Sequence, residues 1–149
     1  MSVNQGLFCS TSDLWETPQD LFDALDKEFH FTLDPCATHT NAKCESYYTE
    51  AEDGLIQSWA GVVFMNPPYG RKIGSWVQKA FSESMNGVTV VCLLPARTDT
   101  KWWHSYVMRA SEVRFIKGRL KFSNKKQNAP FPSAVVVFKA KAALNNAFA

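Results

Sequence analysis

The residues best suited to chemistry lie in the stretch VVFMNPPY, residues 62–69, where an apolar run ends at Asn66. Pro67 and Pro68 each fix their own φ near about −65° and have no N–H group, so the loop is stiff and presents carbonyl oxygens without competing donors. The side chain of Asn66 adds a further carbonyl acceptor. A group with two N–H bonds would satisfy two such acceptors at once, and the exocyclic amine of a nucleobase is such a group.

An amine held in this way becomes a better nucleophile. The amino nitrogen of adenine is a poor nucleophile because its lone pair is delocalised into the ring. Acceptors that hold both hydrogens favour a pyramidal nitrogen, whose lone pair can attack a methyl sulfonium without a strong base. Tyr69 can stack on the base, a contact worth about 1–3 kcal/mol, and a base in duplex DNA must first be flipped out. The alternative is that residues 66–69 form only a rigid turn.

The elements that must position this loop alternate between strands and helices. Thr17 is the predicted N-cap of the first helix, with Pro18 as its first residue. We predict strands at residues 29–33, 47–49, 62–65, 88–94, 113–116 and 134–138, and helices at 18–29, 74–84 and 101–109. This order predicts an α/β fold with a mostly parallel sheet and helices on both faces. Ligands bind such sheets beyond the carboxyl ends of the strands, where Asp34, Asn66 and Arg97 follow three of the predicted strands.

Composition sets wide limits on the class of protein. The 149 residues, 46% hydrophobic and 20% charged, suit one soluble domain, and the net charge of +2 permits a nucleic-acid partner without requiring one. We predict a flexible arm at residues 1–13, one domain at 14–139 and a frayed tail at 140–149. No apolar stretch is long enough for a membrane helix, so we expect no membrane partner.

The four cysteines also indicate the cellular compartment. They lack CxxC spacing, which predicts reduced thiols in a cytoplasmic protein and no metal site. The alternative is a zinc site that uses Cys36, His39 and Cys44, but no second pair of ligands accompanies them.

Seven pieces of the sequence, taken in order, carry a family resemblance. They are WETPQDLF, LDPCA, DGL with Trp59, NPPYG, LLPARTDTKWWH, GRLKF and APFPSAVVVF, and they extend from Trp15 to Phe138. Together they resemble the phage-encoded DNA N6-adenine methyltransferase family, often called the phage Dam family. The resemblance implies a Rossmann-like methyltransferase fold, abbreviated in its cofactor half. It also implies transfer of a methyl group from S-adenosylmethionine to the N6 amine of adenine in DNA, in the cytoplasm of a bacterial host.

The resemblance implies roles for individual positions. The catalytic motif matches Asn66, Pro67, Pro68 and Tyr69. The implied cofactor-binding residues are Trp15, Thr17, Pro18, Asp34, Pro35, Cys36, Ala37, Asp53 and Asn66. Among them Asp34 matches the acidic start of the cofactor-binding motif, and Asp53 matches the acid that commonly holds the adenine amine of the cofactor.

The DNA contacts are predicted mainly from charge. Lysine and arginine side chains in loops near the site would bind phosphates. The candidates are Arg97, Arg119, Lys125, Lys126 and Phe131. The last of these resembles the aromatic residue that sandwiches the flipped base.

The sequence also departs from the family pattern. Residues 34–44, DPCATHTNAKC, contain no glycine where the family has a glycine-rich cofactor loop, and either Glu45 or Glu50 would have to hold the ribose. Two alternatives stay open, the first because methyltransferases of other amines and amides share the Asn-Pro-Pro-Tyr motif, and the second because of the missing loop. One is a methyltransferase that acts on another amine or amide, such as guanine in RNA or glutamine in proteins. The other is a catalytically inactive DNA-binding module.

Overall fold

The computed structural model describes residues 11–142, which form a single six-stranded sheet with helices packed against it. The strands are β1 Leu33–Ala37, β2 Ser46–Thr49, β3 Val62–Met65, β4 Thr89–Pro95, β5 Glu112–Phe115 and β6 Ser133–Phe138. The helices are α1 Gln19–Phe29, α2 Ile73–Met85 and α3 Lys101–Ser105, with 3₁₀ turns at Thr11–Asp13, Gly54–Ile56 and Val107–Arg109. None of these helices within residues 11–142 is long and apolar enough to cross a membrane.

The strand order places one edge of the sheet where a ligand would bind. The order is β2-β1-β3-β4-β6-β5, in which β1, β2, β3 and β4 are parallel and β6 runs antiparallel to both β4 and β5. The carboxyl ends of the five parallel strands and the beginning of β6 therefore meet at the same edge, which we call the functional edge. The predicted α/β fold with a mostly parallel sheet is confirmed.

The central strands are held by uninterrupted apolar runs. Every residue of β6 is buried, as are Val90–Pro95 of β4, which is the burial expected of strands covered on both faces. Helix α1 buries Phe22 and Leu25 in the core, and the Phe22 ring lies 5.2 Å from that of Phe64 on β3. Helix α2 buries Trp76 and its apolar neighbours and packs mainly on β4. This packing fixes the loop that follows β3.

Several local predictions are wrong. The first strand spans Leu33–Ala37 rather than residues 29–33, because His30 ends α1 with a left-handed φ of 59° and the rings of Phe29 and Phe31 pack against each other instead. Asp34 is consequently the second residue of β1, not the residue after its end. The predicted helix at 101–109 ends at Ser105 and continues only as a 3₁₀ turn.

The start of α1 also differs from the prediction. Pro18 occupies the N-cap position without a side-chain hydrogen bond, so Thr17 does not cap the helix. The predicted N-terminal arm and tail fall largely in residues 1–10 and 143–149, which lie outside the described residues. The end of the arm is described: the N–H of Tyr69 donates to the carbonyl of Asp13, which places the 3₁₀ turn Thr11–Asp13 against the loop after β3.

Candidate active site

A cavity of about 490 Å³ lies at the functional edge, within the range of about 300–1,000 Å³ that is usual for small-molecule sites. It is bounded by β1, by the loop after β2 and by the loop after β3. Its lining includes most of the residues predicted to bind a cofactor or catalyse: Trp15, Thr17, Asp34, Pro35, Cys36, Ala37, Asp53, Asn66, Pro67 and Pro68. Pro18 and Tyr69 are not among the lining residues.

Asn66 is held in one orientation by contacts from far along the chain. Its Nδ2 donates to the carbonyl oxygen of Trp15 and to Oγ1 of Thr17, the latter at 2.9 Å. Because a backbone carbonyl can only accept, the amide nitrogen must face Trp15 and Oδ1 must face the other way. The hydroxyl of Thr17, predicted to cap α1, is thus used to orient Asn66.

The Oδ1 atom of Asn66 is buried and has no hydrogen-bond partner among residues 11–142. A buried acceptor without a partner costs about 1–3 kcal/mol, so native structures rarely retain one without a reason. The residue lines the cavity, and a donor bound there would satisfy this oxygen. The geometry therefore fits the recognition of an N–H group at the end of β3.

Tyr69 is more deeply buried than expected for a residue that stacks on a substrate. Its side chain is only 4% exposed, its hydroxyl donates to the carbonyl of Leu93 at 2.9 Å, and burial raises its pKa well above the ordinary value. The phenol thus stays protonated at neutral pH and is not a general base. The rings of Trp15, Phe122 and Phe131 lie 6.4, 6.2 and 5.8 Å from it, so a base that stacks on Tyr69 has to displace part of this aromatic cluster.

Asp34 organises the loop that lacks glycine. Its two carboxylate oxygens accept the backbone N–H groups of Cys36, at 3.2 Å, and of Lys43, at 3.0 Å. Burial raises the pKa of Asp34, and these two N–H groups partly offset the increase. Between them, Thr38 and Asn41 bond reciprocally to each other's backbone N–H through their side chains. Side-chain to backbone hydrogen bonds thus shape the turn that glycines would otherwise form.

Two carboxylates that follow β2, those of Glu50 and Asp53, line the same cavity. Asp53 has a left-handed φ of 56°, which is uncommon for a residue with a side chain, and its Oδ1 accepts from the N–H of Leu55. Gly54 follows, and a Cβ there would lie 2.3 Å from the carbonyl oxygen of Pro35, so this turn approaches β1 as closely as only glycine allows. Of the two candidate ribose acids, Glu50 lines the cavity and Glu45, which precedes β2, does not.

Of the five residues predicted to contact DNA, three contact Tyr69 or Trp15 and two do not. Arg97 and Phe131 are half-buried at the functional edge: the Arg97 guanidinium donates to the carbonyl of Tyr69 at 3.3 Å, and the Phe131 ring lies 4.9 Å from that of Trp15. Lys125 places its Nζ 4.3 Å from the centre of the Trp15 ring. Arg119 and Lys126 are exposed and make no hydrogen bond within residues 11–142.

Cys44 and Cys92, which do not line the cavity, are poor candidates for thiol chemistry. Burial raises the pKa of Cys44 to about 12 and that of Cys92 further still, so neither thiol is ionised at neutral pH. Neither can then serve as a nucleophile.

Several polar residues that shape the site were not predicted from the sequence. They are Glu16, Asn41, Lys43, Ser123 and Asn124, which hold the segment before α1 and the loop after β1. Residues of these types are ordinary in loops, so a single sequence contains no signal that distinguishes them.

Comparison with known proteins identifies the family. Residues 6–143 match the family described as DNA N-6-adenine-methyltransferase (Dam). The chain belongs to this family. It is 35% identical to the DNA N-6-adenine-methyltransferase of Haemophilus phage HP1 (strain HP1c1) in an alignment of length 144 that covers 89% of this chain and 82% of that protein. It is 31% identical to the DNA N-6-adenine-methyltransferase of Escherichia phage T1 in an alignment of length 112 that covers 72% of this chain but 46% of that protein.

These matches confirm the family resemblance carried by the sequence motifs. The missing glycine-rich loop does not exclude the chain from this family, because the match covers residues 34–44 as well as the Asn-Pro-Pro-Tyr loop.

Proposed function

We propose that this chain transfers a methyl group from S-adenosylmethionine to the N6 amine of adenine in DNA. The observation that carries the proposal is the buried Oδ1 of Asn66, which faces away from its two fixed contacts and has no partner among residues 11–142. Membership of the DNA N-6-adenine-methyltransferase family supports the same chemistry.

The residues around the cavity fit S-adenosylmethionine. When bound, this cofactor supplies a methyl group on a positively charged sulfur. Its adenine amine and ribose hydroxyls are donors, and Asp53 and Glu50 provide carboxylates on the cavity wall after β2. Thr17 and Asn66 line the same cavity and would hold the methionine end of the cofactor.

The residues of the chain act by positioning the adenine amine. Oδ1 of Asn66 accepts one N6 hydrogen, and a backbone carbonyl of the stiff Asn66–Pro68 stretch accepts the other. The lone pair of the nitrogen then points at the incoming methyl group, and both acceptors interact more strongly as positive charge develops on the nitrogen. Thr17 and Trp15 hold the amide in place beforehand, so little reorganisation is needed.

Removal of the N6 proton does not require a general base. The amine becomes acidic only after methylation, so its proton can pass to solvent once the product has formed. This agrees with the buried, protonated phenol of Tyr69, which donates to Leu93 rather than accepting a proton.

The proposal is tested by identifying the product. The protein is incubated with methyl-labelled S-adenosylmethionine and unmethylated DNA, the DNA is digested, and the labelled nucleoside is identified by mass spectrometry. We expect N6-methyldeoxyadenosine from the parent protein and none from Asn66→Ala. Label in another nucleoside, label only when RNA or protein is offered, or no label at all would contradict the proposal.

A further inference from the structure

The loop between β5 and β6, residues 116–132, is called the basic loop, and hydrogen bonds join it to the segment that precedes α1. Asn124 uses both ends of its side-chain amide: Oδ1 accepts from the N–H of Glu16 at 2.9 Å, and Nδ2 donates to the carbonyl of Leu14 at 2.8 Å. Ser123 adds two contacts, from its N–H to the carbonyl of Glu16 at 2.9 Å and from its hydroxyl to the carbonyl of Thr17 at 3.2 Å. Four hydrogen bonds thus join two segments more than a hundred residues apart.

The segment bound by the basic loop, residues 14–17, also orients Asn66. The bonds from Asn124 end at Leu14 and Glu16, the residues on either side of Trp15, whose carbonyl oxygen accepts from Asn66 Nδ2. The bond from the Ser123 hydroxyl ends at Thr17, whose own hydroxyl also accepts from Asn66. A displacement of the loop therefore moves both acceptors that determine where Oδ1 of Asn66 points.

The same loop is charged in a way that suits contact with DNA phosphates. Lys121, Lys125 and Lys126 lie within six residues and flank Ser123 and Asn124. The Lys125 ammonium lies 4.3 Å from the centre of the Trp15 ring, so its position is coupled to Trp15 as well.

We propose that Asn124 is a positioning residue that couples the basic loop to the acceptor oxygen of Asn66. DNA held by the lysines fixes the loop, the loop fixes residues 14–17, and these residues hold the Asn66 amide with Oδ1 toward the target amine. Asn124 does not touch the reacting atoms; it acts through Trp15 and Thr17. This inference rests on the proposed function, since it assigns how that site is assembled.

The kinetic test compares Asn124→Ala with Asn128→Ala. Asn128 is an exposed asparagine of the same loop and makes no side-chain hydrogen bond within residues 11–142. In single-turnover methylation we expect Asn124→Ala to be slower by roughly tenfold, which corresponds to about 1.4 kcal/mol in activation free energy. The dissociation constants for DNA and S-adenosylmethionine should change by less than about threefold. Asn128→Ala should match the parent, and a rate of Asn124→Ala within about twofold of the parent would overturn the inference.

A double-mutant cycle separates coupling from independent damage. Thr17→Val removes the hydroxyl that accepts from Asn66 and keeps the shape of the side chain. If Asn124 and Thr17 both act by orienting Asn66, the double variant should be slower than the slower single variant by less than about twofold, whereas independent effects multiply. Multiplication of the two losses would show that Asn124 acts in another way.

A spectroscopic readout needs no catalytic activity. The side-chain amide of Asn66 gives a nuclear magnetic resonance signal in asparagine-labelled protein, identified by its loss in Asn66→Ala. We expect this signal to move in Asn124→Ala and to stay in place in Asn128→Ala. A signal that is the same in the parent and in Asn124→Ala would overturn the coupling even if the parent methylates DNA. Absence of N6-methyladenine from the parent reaction would instead count against the proposed function alone.

Discussion

At Asn66 the two ends of one side-chain amide have different surroundings. Nδ2 has two acceptors, whereas Oδ1 is buried without a partner among residues 11–142. An alanine or a freely rotating asparagine would not present an oxygen in this direction. We therefore expect the chemistry of the site to depend on the residues that orient Asn66, of which Thr17 is the most accessible to experiment.

Thr17→Val should slow methylation while leaving the fold intact. The variant removes one of two acceptors for Asn66 Nδ2, a neutral hydrogen bond worth about 1 kcal/mol, so we expect a rate reduced by roughly fivefold. Thr17→Ser keeps the hydroxyl and is the matched control, with a rate near that of the parent. The measurement is single-turnover methylation at saturating cofactor. Equal rates for the valine and serine variants would show that the hydroxyl does not orient Asn66.

The sequence predicted Asn66 and its stiff loop but not the way the loop is held. Pro67 and Pro68 restrict the backbone wherever they occur, so their effect can be derived locally. The partners of Asn66 lie 49 and 51 residues earlier in the chain, and Thr17 followed by proline has the pattern of an ordinary helix cap. Tertiary contacts overrode that local preference, which no single sequence reveals.

At the scale of elements, the 3₁₀ turn Gly54–Ile56 depends on the absence of a side chain at Gly54. A Cβ would lie 2.3 Å from the carbonyl oxygen of Pro35. Gly54→Ala must therefore push the turn and Asp53 away from β1, and we expect weaker binding of S-adenosylmethionine by about tenfold or more, measured by calorimetry. Gly74→Ala is the control, because its Cβ would meet Trp102 at an ordinary 3.4 Å. If Gly54→Ala bound S-adenosylmethionine as tightly as the parent, Asp53 would not be a cofactor-binding residue.

Asp34 acts on the loop after β1. In Asp34→Ala the backbone N–H groups of Cys36 and Lys43 lose their acceptors, so residues 38–43 lose the contact that holds them beside the cavity. We expect the dissociation constant for S-adenosylmethionine to rise by roughly tenfold, as for the loss of one or two hydrogen bonds to a charged group. Thermal unfolding checks that the variant remains folded. An unchanged dissociation constant in folded Asp34→Ala would show that Asp34 stabilises the turn without contributing to cofactor binding.

The elements themselves were predictable where the apolar pattern is unambiguous. Strand β3 begins and ends where the sequence places it, because Val62–Met65 is a short apolar run closed by proline. Strand β1 was misplaced, since Phe29 and Phe31 look like strand residues, but Phe29 is the last residue of α1 and Phe31 packs against Phe22 and Phe29 of that helix. The sequence-based boundary failed where tertiary aromatic packing replaced the local pattern.

For the molecule as a whole, we expect the basic loop to supply much of the affinity for DNA. Lys125→Ala with Lys126→Ala should weaken DNA binding about equally for all sequences and flatten the log–log salt dependence by about 2 units, as two lost phosphate contacts require. Lys139→Ala with Lys141→Ala is the matched control, because it removes the same charge beyond the end of β6, at the opposite edge of the sheet. If both double variants behaved alike, the path of the DNA would lie elsewhere.

We propose that Oδ1 of Asn66 accepts a hydrogen bond from the target amine in the transition state. The most direct measurement is the single-turnover rate of Asn66→Ala, taken together with its dissociation constant for S-adenosylmethionine. We predict a rate reduced by at least about 100-fold, since a lost transition-state contact of this kind costs about 3 kcal/mol, with cofactor affinity within a few-fold of the parent. A methylation rate within about tenfold of the parent would contradict this role of Asn66.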